Sequence, residues 1–307
     1  MRRVLLKASD SRWLRENATR YRFLRRSVDR FMPGESIADA LRASVELSRH
    51  NIGAILTRLG ENVSDRAEAE AVTIHYLQVL EAIRTQGLPI EVSVKLTQLG
   101  LDLDESFCES NLSRLVSKST PGQTLWVDME QSSYAERTLR TVHSIRKSHP
   151  QVGVCVQAYL HRTEADLDRL IANGVAVRLV KGAYNEPSSV AFSKKMEVDN
   201  SYFRLAQKLL GSEARGNRVR AALATHDRGL IHRIAAWASF EGLNNDEIEF
   251  QMLYGIQKGE QLRLAKQGYR SRVLIAYGPY WFPWFMRRLA ERPANVLLLA
   301  RNLFAGQ

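Results

Sequence analysis

Cysteine is nearly absent: the 307 residues contain two, Cys108 and Cys155. That is too few, and they lie too far apart, for a disulfide framework or a paired metal motif. Cys155 sits in the apolar run from Val152 to Val156 and reads as a buried filler. This usage suits a reducing compartment, and a cytoplasmic location is expected. Long hydrophobic runs are missing too, since none approaches the ~20 residues a membrane-spanning helix needs. The nearest, Val273 to Met286, is uncharged but broken by Gly278, Pro279 and Pro283. The opening Met-Arg-Arg-Val-Leu-Leu-Lys has charge without a sustained apolar segment or a small-residue cleavage pattern, so no secretory leader is expected. The seven histidines (50, 75, 143, 149, 161, 226, 232) form no H-x-H or H-E-x-x-H pair, and no metal is expected. No G-x-G-x-x-G follows a strand-like run, and neither a Walker sequence nor G-x-S-x-G occurs. Low-complexity linkers and internal repeats are likewise absent.

What is present is a globular composition, 45% hydrophobic and 25% charged, with a formal net charge of +11. The excess is concentrated at the start, where residues 1–30 hold ten Lys/Arg against Asp10, Glu16 and Asp29. Such a basic stretch suits a solvated helical face, an anionic membrane surface or an acidic partner. It carries no helix-turn-helix or RNP signature, so a nucleic-acid partner is not expected.

From residue 50 onward, short β-rich runs alternate with stretches long enough for helices. The runs are Ile52–Leu56, Glu91–Leu96, Thr124–Met129, Gly153–Ala158, Ala176–Val180, Arg220–Thr225, Ile248–Leu253 and Arg272–Ala276. Between Thr163 and Gly174 lies a helical half-unit, with Thr163 as candidate N-cap, Leu167, Leu170 and Ile171 on one face, and Gly174 as the stop. Eight β/α units without hairpin signals predict an α/β fold of the (β/α)8 barrel type, with an open doubly wound sheet as the alternative. The expected organisation is a basic helical arm over residues 1–50 and a barrel over residues 51–307.

In such a barrel the C-terminal strand ends face the active site. Here they carry Lys95, Asp128, Gln157, Arg178, Lys181, Thr225 and His226. Charge embedded in strands costs several kcal/mol unless it is paired or functional. Lys95, Arg178 and Lys181 with Asp128 therefore predict either a structural ion-pair network or a cationic pocket holding one carboxylate. A cationic mouth with an amide and a hydroxyl suits an anionic ligand. Beyond strand 8, Arg287 and Arg288 follow an aromatic run, with Glu291 spaced to orient them on a helix or to form an ordinary salt bridge. Read from the residues alone, the chain is an anion-binding barrel whose reaction is open.

Nine short motifs, in order, resemble the proline dehydrogenase family: Phe31-Met-Pro-Gly-Glu35, Leu59-Gly-Glu61, Ser93-Val-Lys-Leu96, Val127-Asp-Met-Glu130, Gln157-Ala-Tyr159, Arg178-Leu-Val-Lys-Gly-Ala-Tyr184, Ala224-Thr-His-Asp227, Glu249-Phe-Gln-Met-Leu-Tyr-Gly255 and Arg287-Arg-Leu-Ala-Glu291. The chain is similar to the monofunctional bacterial form. The resemblance implies a distorted barrel that holds FAD without a Rossmann fold and oxidises L-proline to 1-pyrroline-5-carboxylate. Electrons would pass to a quinone, and a separate pyrroline-5-carboxylate dehydrogenase would consume the product. It also implies roles. Arg178 would stand by the flavin N5, with Gln157 and Met129 against the isoalloxazine. Val180, Lys181 and Gly182 would hold the ribityl and phosphate region, and Thr225 and His226 would lie nearer the adenine half. Lys95, Arg287 and Arg288 would bind the substrate carboxylate, with Asp128 orienting its cationic neighbours and Tyr184 lining the pocket. Glu61 would pair with Arg287 as a gate, and Glu291 would orient the arginines. The basic arm would give peripheral contact with the inner face of the membrane.

One departure stands out. Where the family usually reads Arg-Val-Tyr-x-Pro-Tyr-Gly at strand 8, this chain reads Arg272-Val-Leu-Ile-Ala-Tyr-Gly278. Leu274 and Ala276 reshape a wall near the substrate ring, which opens an alternative preference for hydroxyproline or another cyclic imino acid.

Overall fold

The computed structural model describes residue 28 and residues 30–60, 63–120, 122–282 and 284–286. Eight parallel strands close into one barrel in sequence order, β1-β2-β3-β4-β5-β6-β7-β8. They are β1 Ile52–Arg58, β2 Ile90–Val94, β3 Leu125–Val127, β4 Val152–Gln157, β5 Ala176–Val180, β6 Ala221–Ala224, β7 Glu249–Leu253 and β8 Arg270–Tyr277. Closure is made by β1 against β8, in register from Ile52 opposite Ser271 to Arg58 opposite Tyr277. An open doubly wound sheet is thereby excluded. The main helices are α1 Ile37–Ser48, α2 Arg66–Gln86, α3 Glu105–Lys118, α4 Ala135–Arg146, α5 Thr163–Ala172, α6 Lys195–Leu210, α7 Ser212–Gly216, α8 Arg228–Phe240 and α9 Lys258–Lys266.

Side chains on a strand alternate between faces, and here the two faces differ in chemistry. Outward residues such as Leu56, Val92, Val127, Val154, Leu179, Phe250 and Ile275 join one large core with the helices. Many inward residues are small, polar or charged, while Ile55, Trp126, Ala176 and Ala222 form a separate small apolar cluster that Leu274 packs against. Gly153 is the space that Trp126 requires, because a Cβ there would stand 2.9 Å from the indole Cε3.

Helix ends follow local chemistry. Ser36 and Asp39 form a reciprocal capping box at α1, and Asp65 caps α2, which ends on Gly87 at φ +62°. Helix α1 packs against β1 and β8. The predicted cap of α5 is not formed. Arg162 holds the N-cap position without a side-chain capping bond, and the buried Thr163 hydroxyl instead donates to the Gln157 carbonyl at 2.6 Å. A tertiary acceptor has displaced the local one. The expected apolar face does form, with Leu167, Leu170 and Ile171 buried.

At the C-terminal end of the barrel, Val28, Phe31 and Met32 pack with Trp281, Phe282 and Phe285 over Leu59 and Ala276. The segment before the barrel and the segment after β8 thus meet at the same mouth. Among the described residues, no helix is long and apolar enough to cross a membrane.

Candidate active site

Strand β5 brings Arg178 into the barrel interior, where the residue is 3% exposed. Its Nη2 donates to Ser93 Oγ at 2.7 Å and pairs with the Asp128 carboxylate. Ser93 Oγ also donates to Asp128 Oδ1 at 2.8 Å. Burial works against the Arg178 charge, but Asp128, with Cys155 and Glu91 behind it, outweighs burial and raises the guanidinium above its ordinary range. Nη1 of Arg178 has no hydrogen-bond partner among the described residues. Leaving a buried donor unmade costs about 1–3 kcal/mol, more when it is charged, so such an atom calls for a ligand.

Gln157, at the end of β4, presents a second orphan. Its Nε2 donates to the Glu130 carbonyl at 3.2 Å, while Oε1 is buried without a partner among the described residues. Two more Oε1 atoms are buried without a partner among the described residues, that of Gln251 on β7 and that of Gln98 just after β2. These orphans lie on strands or just beyond their C-terminal ends. Met129 is buried directly after β3, and Asp128 N–H donates to the Val94 carbonyl at 2.8 Å. Lys95, at the end of β2, is half-buried.

The loops after β5 and β6 hold a second group. Lys181 Nζ donates to Asp199 Oδ1 at 2.5 Å and to Asp227 Oδ2 at 2.8 Å. Lys195 pairs with the same two carboxylates. The mouth is therefore not a cationic pocket with one carboxylate: Asp199 and Asp227 add two more, because α6 and the start of α8 carry them across to Lys181. Gly182, at φ +112°, lets the Tyr159 ring lie on the backbone, since a Cβ there would be 2.2 Å from Tyr159 Cδ1. Lys181 and Val180 offer their carbonyls to Tyr159 and Ala158. Thr225 Oγ1 accepts from Asp227 N–H at 3.1 Å. His226 Nε2 accepts from Leu253 N–H at 2.9 Å, which fixes it as the unprotonated ring nitrogen. Tyr184 is half-buried in the loop after β5. Glu61, Arg287, Arg288 and Glu291 lie outside the described residues.

Asp227 does two things at once. Its Oδ1 caps α8 by accepting from Gly229 and Leu230 N–H, and its Oδ2 holds the two lysines. Burial alone would raise its pKa, but Lys181, then Lys195 and the Leu230 N–H, pull it down to about 2. A depressed folded pKa means the stabilisation is present above the unfolded value and lost as pH falls toward about 2. Asparagine caps as well as aspartate, so Asp227→Asn should cost only the ion pairs, about 0.5–1 kcal/mol. Asp227→Ala should cost about 1 kcal/mol more. Urea denaturation at neutral pH separates the two, and the wild-type advantage over Asp227→Asn should shrink in acid. Equal losses in both variants would show that the cap contributes nothing.

Sequence reasoning missed the opposite end of the barrel. Glu91 and Glu249, both buried, are bridged by Arg220, which donates to Glu91 at 2.5 Å and to Glu249 at 2.8 Å. Arg272 lies 3.8 Å from Glu91 and 3.6 Å from Glu249. The available signal was four charges at the first inward positions of β-runs.

Residues 40–301 match the sequence model of the proline dehydrogenase family. The chain is 36% identical over 278 residues to proline dehydrogenase 2 of Bacillus subtilis subsp. natto, with 90% of each chain covered. It is 34% identical over 288 residues to the proline dehydrogenase of Deinococcus radiodurans, covering 91% of this chain and 90% of that one. Among solved structures, proline utilization A (PutA) from Bdellovibrio bacteriovorus, inactivated by N-propargylglycine, is similar with a TM-score of 0.79 at 23% identity. That likeness covers 87% of this chain and 33% of the other, so the chain spans about a third of that protein's length and shares its fold. With the family match running over most of a barrel whose C-terminal rim gathers these polar side chains, the chain belongs to the proline dehydrogenase family.

Proposed function

We propose that this chain is a proline dehydrogenase that oxidises L-proline to 1-pyrroline-5-carboxylate with FAD held at the C-terminal rim of the barrel. The observation that carries the reading is the pair of buried orphans, Arg178 Nη1 and Gln157 Oε1, on neighbouring strands. One is a cationic donor and the other an acceptor, and a flat heterocycle with alternating acceptors and N–H groups would satisfy both. Lys181, already paired with Asp199 and Asp227, would stand beside the backbone at Gly182 as a donor along the phosphate region.

FAD bound there would supply the acceptor for the hydride leaving C5 of proline. Arg178 would contribute a fixed positive charge where reduction adds electron density, with Asp128 and Ser93 holding the guanidinium still. Gln157 and Met129 would hold the ring, with Val180, Lys181 and Gly182 along the ribityl and phosphate region and Thr225 and His226 toward the adenine. Lys95, with Arg287 and Arg288, would bind the substrate carboxylate, favouring anionic imino acids over neutral cyclic amines. The three cations at the substrate carboxylate would lower the pKa of the bound amine, so the ring nitrogen keeps its lone pair available to C5. Tyr184 would close the wall beside the ring, with Glu61 and Glu291 steering the arginines. Electrons would leave to a quinone, and a separate pyrroline-5-carboxylate dehydrogenase would take the product. The same reading makes residues 51–307 the catalytic barrel of a cytoplasmic enzyme. The basic arm of residues 1–50 would touch the anionic inner face of the membrane, at roughly 1 kcal/mol per Lys or Arg near the surface.

A second reading, preference for hydroxyproline, is favoured by Leu274, which is only half-buried on the inner face of β8 against the Trp126 cluster. The visible spectrum of purified protein, before and after anaerobic L-proline with hydroxyproline in parallel, decides between them. Flavin bands that bleach with proline are expected. Bleaching with hydroxyproline alone would favour the second reading, and a colourless protein that FAD cannot reconstitute would overturn both.

A further inference from the structure

Trp126 is wholly buried inside the barrel, and a guanidinium stands over its ring from each direction along the barrel axis. Arg178 Cζ is 5.2 Å from the ring centroid, and Arg220 Cζ is also 5.2 Å from it. Their partners give the direction of each. Arg220 is held by Glu91 and Thr124, at the N-terminal ends of β2 and β3. Arg178 is held further along the same two strands, by Ser93 on β2 and by Asp128 just after β3. The indole itself is pinned, with Nε1 donating to Glu91 Oε2 at 2.9 Å.

The bonds that hold Arg178 have a peculiarity. Ser93 and Asp128 both bind Nη2, so these two bonds alone leave the guanidinium able to pivot about that nitrogen and swing Nη1. The Trp126 ring, with its centroid 5.2 Å from Cζ, stands against the guanidinium and restricts that pivot. Tryptophan presents the strongest face for a cation, and the contact gains when both groups are out of water.

We propose that Trp126 is a positioning residue for Arg178: its ring, anchored by Glu91, sets the plane of the guanidinium and so the direction in which Nη1 points. The role rests on the reading that places Arg178 beside a flavin. Trp126 touches neither substrate nor cofactor and acts only through Arg178. The charged ring at the N-terminal end of the barrel thereby also supports the chemistry at the other end, through one indole.

The test uses the FAD-loaded enzyme. Trp126→Leu removes the ring. Its kcat should fall on the order of tenfold, with KM for L-proline within about threefold. A loosened cation stabilises the reduced flavin less, so the flavin potential should drop by about 30 mV, the equivalent of tenfold in a two-electron equilibrium. Trp126→Phe keeps an aromatic face and should hold kcat within about threefold of wild type. Because Trp126→Leu leaves a large void that threatens folding, fluorinated tryptophan incorporated into the wild-type chain gives a second route. Fluorine weakens the ring's attraction for cations at nearly constant shape, so kcat and potential should fall, and the same substitution in a Trp126→Phe background should do nothing. Equal effects in both backgrounds would overturn the proposal. So would a folded, flavin-loaded Trp126→Leu whose kcat and potential are unchanged while those of Arg178→Lys have moved. If the potential of Arg178→Lys does not move either, what fails is the flavin-side reading of Arg178 on which the proposal rests.

Discussion

Arg178→Met is expected to lower kcat/KM for L-proline by about 10²–10³-fold and to destabilise the fold by about 3 kcal/mol. Two separate losses combine. The first is electrostatic: a preorganised charge in a water-excluded site costs nothing to reorganise during the reaction, and removing one such group typically costs that much in rate. The second is structural. Among the described residues, Asp128 would lose its ion-pair partner and keep the Ser93 hydroxyl. Its side chain is 19% exposed, so water relieves part of the penalty and the lower end of the 3–5 kcal/mol range for a broken buried pair applies. Steady-state kinetics and urea denaturation of the same preparation measure the two losses apart. Arg178→Lys should recover stability more than rate, because an ammonium can still meet Asp128 but has no plane to lay on Trp126 and no second nitrogen to present. A methionine variant with undiminished kcat would remove Arg178 from the site altogether.

The barrel was legible in the sequence for a specific reason. Its outward faces must pack on helices, so Leu56, Val92, Val154, Leu179 and Ile275 had to be apolar, and that pattern marks each strand to within a few residues. The rim was legible because Asp128 and Arg178 are charges inside apolar runs, which is expensive without a purpose. Other parts depend on contacts distant in sequence. Lys181 is neutralised by Asp199 and Asp227, 18 and 46 residues further on, and no local spacing announces that meeting. Thr163 looked like a cap by every local criterion and turned instead to the Gln157 carbonyl, because the β4 turn had already placed an acceptor within reach. Trp126 lies in the run Thr124–Met129 with no local mark of a role, and only closure of the barrel puts a guanidinium over it from each end. The network of Glu91, Arg220, Glu249 and Arg272 was readable in part. Those residues sit at the starts of β-runs, away from the C-terminal strand ends that face the active site.

That network carries the second large effect. Glu91→Gln should destabilise the protein by about 3 kcal/mol and leave kcat within about threefold of wild type. Arg220 and Arg272 would then share Glu249 alone, with buried positive charge in excess of its counter-charge, which is the costly arrangement. At roughly 2–4 °C per kcal/mol for a domain of this class, the midpoint of thermal unfolding should fall by about 10 °C. The amide oxygen of glutamine can still accept from Trp126 Nε1, so the support under Arg178 survives and the chemistry should too. Acid adds a signature. Burial would raise the Glu91 pKa, but the charges of Arg272 and Arg220 and the hydrogen bonds from Arg220 and Trp126 outweigh it and hold the pKa below the ordinary glutamate value. The stabilisation from Glu91 is therefore complete above the unfolded pKa of about 4.3 and is lost as pH falls through the lower folded value. The wild type should lose stability steeply over that acid range, and Glu91→Gln, which has no proton to gain at this position, should lose less. Parallel acid-side slopes for the two proteins, or midpoints within 2 °C of each other at neutral pH by calorimetry, would mean that the ring at the N-terminal end is held by packing and not by its charges.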